Sequence, residues 1–140
     1  MKISTKGRYG LRAMIDMTLN IHQQPVSIKA ISERQGISES YLEQVFSTLK
    51  KAGLVKAVRG SYGGYELAKQ PEQITAGQIL RVLEGSLAPV FCVDTECCKK
   101  EKNCPANPFW AGLNSRINDY VDGITLKQMA ENADKQLNSL

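Results

Sequence analysis

The four cysteines are the most reactive side chains of this 140-residue chain, and all of them lie within residues 92–104. Thiolates are soft ligands that suit iron–sulfur clusters and zinc. Neighbouring thiols can also form a redox-switching disulfide, for instance between Cys92 and Cys98. Zinc sites usually contain CxxC pairs, which this segment lacks. The clustering favours an iron–sulfur site, with zinc, a thiol switch and unligated free thiols as the alternatives.

A second group of side chains is suited to reading DNA. The first turns of a helix predicted over residues 38–52 carry Ser38, Ser40, Tyr41, Glu43 and Gln44. A glutamine can pair with adenine, and a glutamate can accept a hydrogen bond from cytosine while it repels phosphates. Glu43 is therefore predicted to act on selectivity more than on affinity. The alternative is that these side chains form an ordinary solvated helix face.

The glycine-rich turn that follows is the next candidate, and it contains Arg59, Gly60, Ser61 and Tyr62. Glycines let the backbone approach another surface closely, and an arginine at such a tip suits a narrow minor groove. The turn matches no phosphate-binding loop of the GxGxxG or GxxxxGK kind, so the alternative is a plain hairpin turn. Near the N-terminus, further phosphate contacts or solvated cations are predicted at Lys2, Lys6 and Arg8.

The elements that must position these residues follow from apolar spacing and from cap residues. Helices are predicted after Ser4, after Ser27 and after Ser38, followed by strands at residues 54–58 and 65–68 and a helix from Thr75 to Gly85. Three helices and a two-stranded hairpin make a winged helix-turn-helix, whose helix after the turn enters the major groove. The predicted fold class is mainly α with a small β-hairpin.

The C-terminal part is predicted to hold a long helix at about residues 108–121, a break at Asp122-Gly123, and a short final helix capped by Thr125. The long helix has apolar residues every three or four positions, at Trp110, Leu113, Ile117, Tyr120 and Val121. Too little chain remains to cover this stripe from within one subunit.

Charge is divided unevenly along the chain. Residues 1–84 contain 12 Lys and Arg against 7 Asp and Glu, a net +5, whereas residues 85–140 contain 6 against 7, a net −1. A polyanionic partner is therefore predicted for the N-terminal part. No apolar run could cross a bilayer and no secretory signal is evident, which predicts a reducing cytoplasm and no membrane association. The only histidine, His22, is isolated, so we expect no enzyme.

Three segments carry a resemblance: MKISTKGRYGLRAM, ISERQGISESYLEQVFSTLKKAGLVKAVRGSYGGYEL and ITAGQILRVLEG. The chain resembles the family of winged-helix bacterial transcription regulators that includes the iron–sulfur cluster regulator IscR and the cysteine-metabolism repressor CymR. The YLEQ and RGxxGGY motifs are specific to that family. The resemblance implies a homodimer paired through the helix at 108–121, and a roughly palindromic operator in double-stranded DNA. It implies DNA contacts at Ser40, Tyr41, Glu43 and Gln44 and around Arg59.

The resemblance also bears on the cysteines. Members similar to IscR bind a 2Fe-2S cluster through cysteines spaced C-x5-C-x5-C and a histidine three residues after the last. Cys92, Cys98 and Cys104 reproduce that spacing, but Asn107 stands at the histidine position. The fourth ligand is left open among Cys97, Asn107, a carboxylate such as Glu43, Asp94 or Glu96, and solvent.

These features predict a transcription regulator that senses iron–sulfur status and controls cluster-assembly genes. We expect a DNA-binding domain at residues 1–84, a cluster-binding loop at 85–107, and dimerisation and final helices at 108–140. One alternative is a thiol-based redox or cysteine-availability repressor without a cluster. Another is a cluster carrier, which the basic N-terminal part and the wing disfavour.

Overall fold

The computed structural model describes residues 2–94 and 103–139. Its first four helices and its hairpin form the predicted winged helix-turn-helix, and two further helices follow. In chain order the elements are α1 Thr5–Leu19, α2 Ile28–Gln35, α3 Glu39–Lys51, β1 Val55–Val58, β2 Gly64–Leu67, α4 Ala76–Glu84, α5 Asn107–Gly123 and α6 Leu126–Asn138. Short 3₁₀ turns lie at Ile21–Gln23, Pro71–Gln73 and Phe91–Val93.

Serine and threonine caps begin five of the six helices, as the sequence predicted. Each cap oxygen accepts a hydrogen bond from a backbone N–H three residues further on, at Ser4, Ser27, Ser38, Thr75 and Thr125. Gly36 ends α2 with φ +67°, a conformation that favours glycine. The chain can therefore turn within Gly36 and Ile37 and start α3 at the Ser38 cap.

The hairpin is antiparallel, and its register pairs Val55 with Leu67 and Val58 with Gly64. Its base is tied to the connection between α1 and α2. Val26 and Tyr65 exchange two backbone hydrogen bonds of 2.8 Å, and the Gln24 side-chain oxygen accepts one from the Leu67 N–H. The wing is therefore anchored to the helical body and not only to its own turn.

The core joins α1, α3, α4 and α6 around large buried side chains that include Met14, Phe46, Ile79 and Leu126. The final helix was predicted to be short, but α6 has 13 residues. Its first turn packs Leu126 into the core, and the Leu126 N–H donates to the Ile74 carbonyl at 2.7 Å. Apolar burial against α1 extends this helix beyond what its cap alone indicates.

The remaining helix of the described part of the chain is α5. The helix α5 ends at Gly123, within the break that was predicted at Asp122-Gly123. None of the helices in residues 2–94 and 103–139 is long and apolar enough to cross a membrane.

A buried carboxylate connects α1 to α2. The Asp16 side chain is 3% exposed and pairs with Arg34, whose side chain is 34% exposed. Arg34 donates from Nε and Nη2 to the two carboxylate oxygens at 3.0 and 2.7 Å, and Gln35 Nε2 donates at 3.0 Å. All of the bonds that Asp16 accepts here come from the helix before the turn, so they hold that helix in place.

Removing the Arg34 partner should destabilise the fold strongly. We expect Arg34→Ala to lower the free energy of unfolding by roughly 2–3 kcal/mol, because a buried carboxylate then keeps only an amide donor. Urea denaturation measures the loss, with Lys29→Ala on the exposed face of the same helix as control. Equal urea midpoints for Arg34→Ala and Lys29→Ala would contradict a structural role for the Asp16–Arg34 pair.

Candidate nucleic-acid interface and thiol site

The helix after the turn, α3, has one buried and one exposed face. Leu42, Val45, Phe46 and Leu49 are buried, whereas Ser40, Glu43 and Gln44 are exposed. The buried side chains fix the rotation of the helix, so the exposed ones are held on a rigid element. These three predicted DNA contacts therefore lie together on the outer face of α3.

Two other predicted contacts also have structural roles. The Ser38 hydroxyl caps α3 by accepting a hydrogen bond from the Tyr41 N–H at 3.2 Å. The Tyr41 ring is half-buried and packs edge-on against Tyr9, with 5.8 Å between ring centroids. Tyr41 thereby sets the orientation of α3 against α1.

Sequence reasoning missed one exposed residue of this face. Ser47 lies three and four positions after Gln44 and Glu43, and it is exposed like them. The helical spacing of i, i+3 and i+4 was the available signal. Ser47 therefore extends the polar face of α3 by one turn.

The wing tip presents Arg59, Gly60, Ser61 and Tyr62, all of them exposed. Tyr62 is 93% exposed, and Gly60 has φ +114°, which favours glycine. At the base of the wing, the ring of Tyr65 packs on Phe46 of α3 with 4.8 Å between centroids. This contact sets the wing beside α3, and the tip itself is exposed.

The start of α1 carries the predicted phosphate contacts. Lys2 and Arg8 are exposed and Lys6 is half-buried. The Arg8 and Arg12 guanidinium groups lie 6.0 and 5.3 Å from the centroid of the Tyr9 ring. Because Tyr9 also contacts Tyr41, the cationic start of α1 is joined by packing to α3.

Two of the four thiols lie in the described parts of the segment between α4 and α5. Cys92 is in the 3₁₀ turn Phe91–Val93 and Cys104 is three residues before α5, and both are free and half-buried. Cys97 and Cys98 lie outside the described residues. Within residues 2–94 and 103–139 there is no group of three His, Cys, Asp or Glu side chains arranged to hold a metal. The described part supplies two of the three predicted thiolates.

The candidate fourth ligands occupy different places. Asn107 begins α5, and its backbone N–H donates to the Cys104 carbonyl at 3.2 Å. Glu43 is exposed on α3. Asp94 follows the 3₁₀ turn, with its N–H bonded to the Phe91 carbonyl at 3.1 Å. Asn107 is thus held next to one predicted thiolate by a backbone contact.

An ion pair joins α5, the helix after the thiols, to α4 of the winged helix-turn-helix. Arg81 of α4 donates to the Asp122 carboxylate at 2.6 and 3.0 Å, and to the Asn118 side chain at 2.8 Å. The hydrogen bonds from Arg81 lower the pKa of Asp122 below its ordinary value. The carboxylate therefore stays charged, and keeps this contact, to a lower pH than a free aspartate would.

Along α5, which the structure describes in full, no residue is buried. Phe109 is 65% exposed and Tyr120 is 70% exposed. An apolar groove of about 350 Å³ lies beside them, lined by Ile3, Leu80, Leu87, Arg116, Ile117, Tyr120 and Val121. The apolar stripe predicted from the sequence is thus only partly covered by its own subunit, with Leu113 and Tyr120 exposed.

Comparisons with known proteins agree with this geometry. The model of the Rrf2 family, described as iron-dependent transcriptional regulators, matches residues 3–132. The chain is 44% identical to the regulator IscR of Aliivibrio salmonicida over 92% of this chain and 77% of that one. It is also 44% identical to the regulator CymR of Bacillus subtilis over 96% of this chain and 93% of that one. The solved structure of T. potens IscR covers 97% of this chain and 90% of its own, with a TM-score of 0.78 and 44% identity.

Proposed function

Since the chain belongs to the Rrf2 family of transcriptional regulators, we propose that it is a homodimeric regulator that senses iron–sulfur status through a 2Fe-2S cluster. It binds DNA to regulate transcription, and it is not an enzyme. The observation that carries the proposal is the spatial order of the elements. The polar helix α3 lies beside the wing through the Phe46–Tyr65 contact, and two half-buried thiols precede α5, whose apolar stripe is only partly covered.

For DNA reading, we place α3 in the major groove and the wing tip in the minor groove. Gln44 is positioned to pair with adenine, and Glu43 to accept from cytosine and reject other bases. Ser38, Ser40 and Tyr41 supply further contacts at the start of α3. Arg59, flanked by Gly60, Ser61 and Tyr62, suits the negative potential of a narrow minor groove. Phosphates are assigned to Lys2, Lys6 and Arg8.

The proposed homodimer is supported by the exposed apolar residues of α5. An exposed apolar stripe beside an apolar groove indicates a protein interface. A second copy of the chain would cover both by a two-fold arrangement, in which the same patch serves each subunit. Two recognition helices then meet a roughly palindromic operator about one DNA turn apart. Because its target is DNA, we assign its action to the bacterial cytoplasm.

For sensing, the donor set fits an iron–sulfur group in kind, since Cys92 and Cys104 are free, partly shielded thiols and thiolates are soft ligands. Cys98 completes the C-x5-C-x5-C spacing. When bound, such a cluster supplies reversible redox chemistry and oxygen sensitivity. The role of this chain is to hold the thiolates before α5, so that a change in their ligation alters the loop that joins α4 to α5.

The alternative is a thiol-based or cysteine-availability repressor without a cluster. It is favoured by the solved structure of CymR, described as the global cysteine regulator of B. subtilis, which has a TM-score of 0.81 and 42% identity. The cysteines then act through oxidation of their sulfurs. A chain that stays colourless after anaerobic reconstitution, yet loses its operator when oxidised, would favour this alternative.

Binding to its own upstream DNA tests the reading surface. We expect footprinting to show a two-fold protected site, and Gln44→Ala to lose roughly 1–3 kcal/mol of discrimination at one base position in each half. Gln136→Ala, the same change on the exposed face of α6, is the control. If Gln44→Ala keeps the base preference of the unchanged protein, Gln44 does not read a base. If the unchanged protein protects random duplex as strongly as it protects the operator, the proposed function is wrong.

A further inference from the structure

The last residue of α4 is bonded to the first turn of α1. Glu84 Oε1 accepts hydrogen bonds from the Ser4 backbone N–H at 2.8 Å, from the Ser4 hydroxyl, and from the Gly7 N–H at 3.0 Å. The start of a helix has free N–H groups and a partial positive charge, so a carboxylate there is stabilising. These bonds fix the first turn of α1 to a helix that is 80 positions away in the chain.

The contact depends on the absence of a side chain at Gly7. A Cβ added to Gly7 would collide with the Glu84 carboxylate. The Ser4 hydroxyl also accepts from the Gly7 N–H, but at 3.4 Å, which is longer than the bond to Glu84. The Glu84 carboxylate is therefore the closer of the two acceptors for the Gly7 N–H, and it fixes the position of the first turn of α1 against α4.

The fixed turn lies among the cations assigned to phosphates. Ser4 is between Lys2 and Lys6, and Arg8 follows Gly7 directly. Fixing the Ser4 N–H sets the direction in which residues 2 and 3 leave the helix. Fixing the Gly7 N–H sets the rotation of the turn that carries Lys6 and Arg8.

We propose that Glu84 is a positioning residue for DNA binding, which holds the first turn of α1 in the place from which Lys2, Lys6 and Arg8 reach the phosphates. The inference rests on the proposed DNA interface. The change in DNA affinity that it predicts is opposite in direction to the change that charge alone predicts. Removing an acidic residue near DNA-binding cations should tighten binding through charge alone. A positioning role requires that its removal weakens binding instead.

The test is a titration of the full-length protein on its operator at several salt concentrations. For Glu84→Ala we expect affinity to fall about tenfold, and the slope of log K against log[salt] to flatten by about 1–2, since each lost phosphate contact removes about 0.9. The ratio of operator affinity to random-duplex affinity should differ by no more than about twofold between the variant and the unchanged protein, because the proposed base contacts lie on α3. Glu84→Gln, which keeps a neutral acceptor, should show the same changes at smaller size.

The matched control is Glu72→Ala, which removes an exposed carboxylate that pairs with Lys127 at 3.4 Å and lies near the last turn of α1, not its first. It should bind the operator as the unchanged protein does or slightly tighter. Thermal unfolding of every variant shows whether it is folded, and Glu84→Gln carries the test if Glu84→Ala is not.

Two results would overturn the inference while leaving the proposed function intact. One is operator binding by the Glu84 variants that equals or exceeds that of the unchanged protein. The other is weaker binding with an unchanged salt slope, which would mean a structural role alone. If the protein without substitutions binds its operator no more tightly than random duplex, the proposed function is wrong, and this inference is wrong with it.

Discussion

Cys92→Ala should stay colourless after anaerobic reconstitution with iron and sulfide, whereas the unchanged protein should gain the visible absorbance of a 2Fe-2S cluster. Removing one of three thiolates leaves too few soft ligands to hold two irons. Cys104→Ala should fail in the same way, because these two half-buried thiols lie at the ends of one segment.

Cys97→Ala is the comparison variant, since Cys97 falls outside the C-x5-C-x5-C spacing but is a candidate fourth ligand. It should gain colour as the unchanged protein does. Full colour in Cys92→Ala would contradict the proposed ligand set, and loss of colour in Cys97→Ala would make Cys97 the fourth ligand. Footprinting of the loaded and cluster-free forms then tests the switch, and identical binding of one operator by both forms would argue against it.

Asn107→His addresses the fourth ligand within the same experiment. Asn107 begins α5, its N–H bonds to the Cys104 carbonyl, and it stands where the similar cluster-binding regulators have a histidine. An imidazole is a better iron ligand than an amide. The histidine variant should lose its colour in air more slowly than the unchanged protein. Equal rates of loss would place the fourth ligand elsewhere.

Tyr120→Asp should separate the dimer and weaken operator binding. Tyr120 is 70% exposed and borders the apolar groove beside α5. A carboxylate there would lose its water on dimerisation without gaining a partner. Because two linked reading helices bind far more tightly than one, we expect operator affinity to fall roughly 10²–10⁴-fold.

Sedimentation and titration on a full operator check this prediction, with a single half-site as reference. Ser115→Asp adds the same charge at an exposed position on another side of α5. It should remain dimeric and should bind the full operator nearly as well as the unchanged protein. A Tyr120→Asp variant that sediments like the unchanged protein would show that this face does not form the interface.

Much of the DNA-binding fold could be predicted because its cues are local. The caps at Ser4, Ser27, Ser38 and Thr75 act on N–H groups three residues away. The left-handed turn at Gly36 is likewise a property of one residue. Such interactions depend on neighbours in the chain, so the helix starts were confirmed to the residue.

The extent and partners of the later helices were harder to predict. Thr125 correctly predicted where α6 begins, but not that it runs to Asn138 or that Leu126 enters the core. Tyr41 was assigned to DNA, and the structure adds its packing against Tyr9. In each case the deciding contact is with an element far away in sequence, whose position no local pattern specifies.

By itself, the sequence determined the winged-helix class, the exposed polar face of α3, the wing and the spacing of the thiols, because caps, helical periodicity and side-chain chemistry act over a few residues. Only the tertiary structure decided that Asp16 meets Arg34 and that Glu84 reaches the start of α1. Those pairs are 18 and 80 positions apart in the chain, so the packing of whole helices is what brings their charges together.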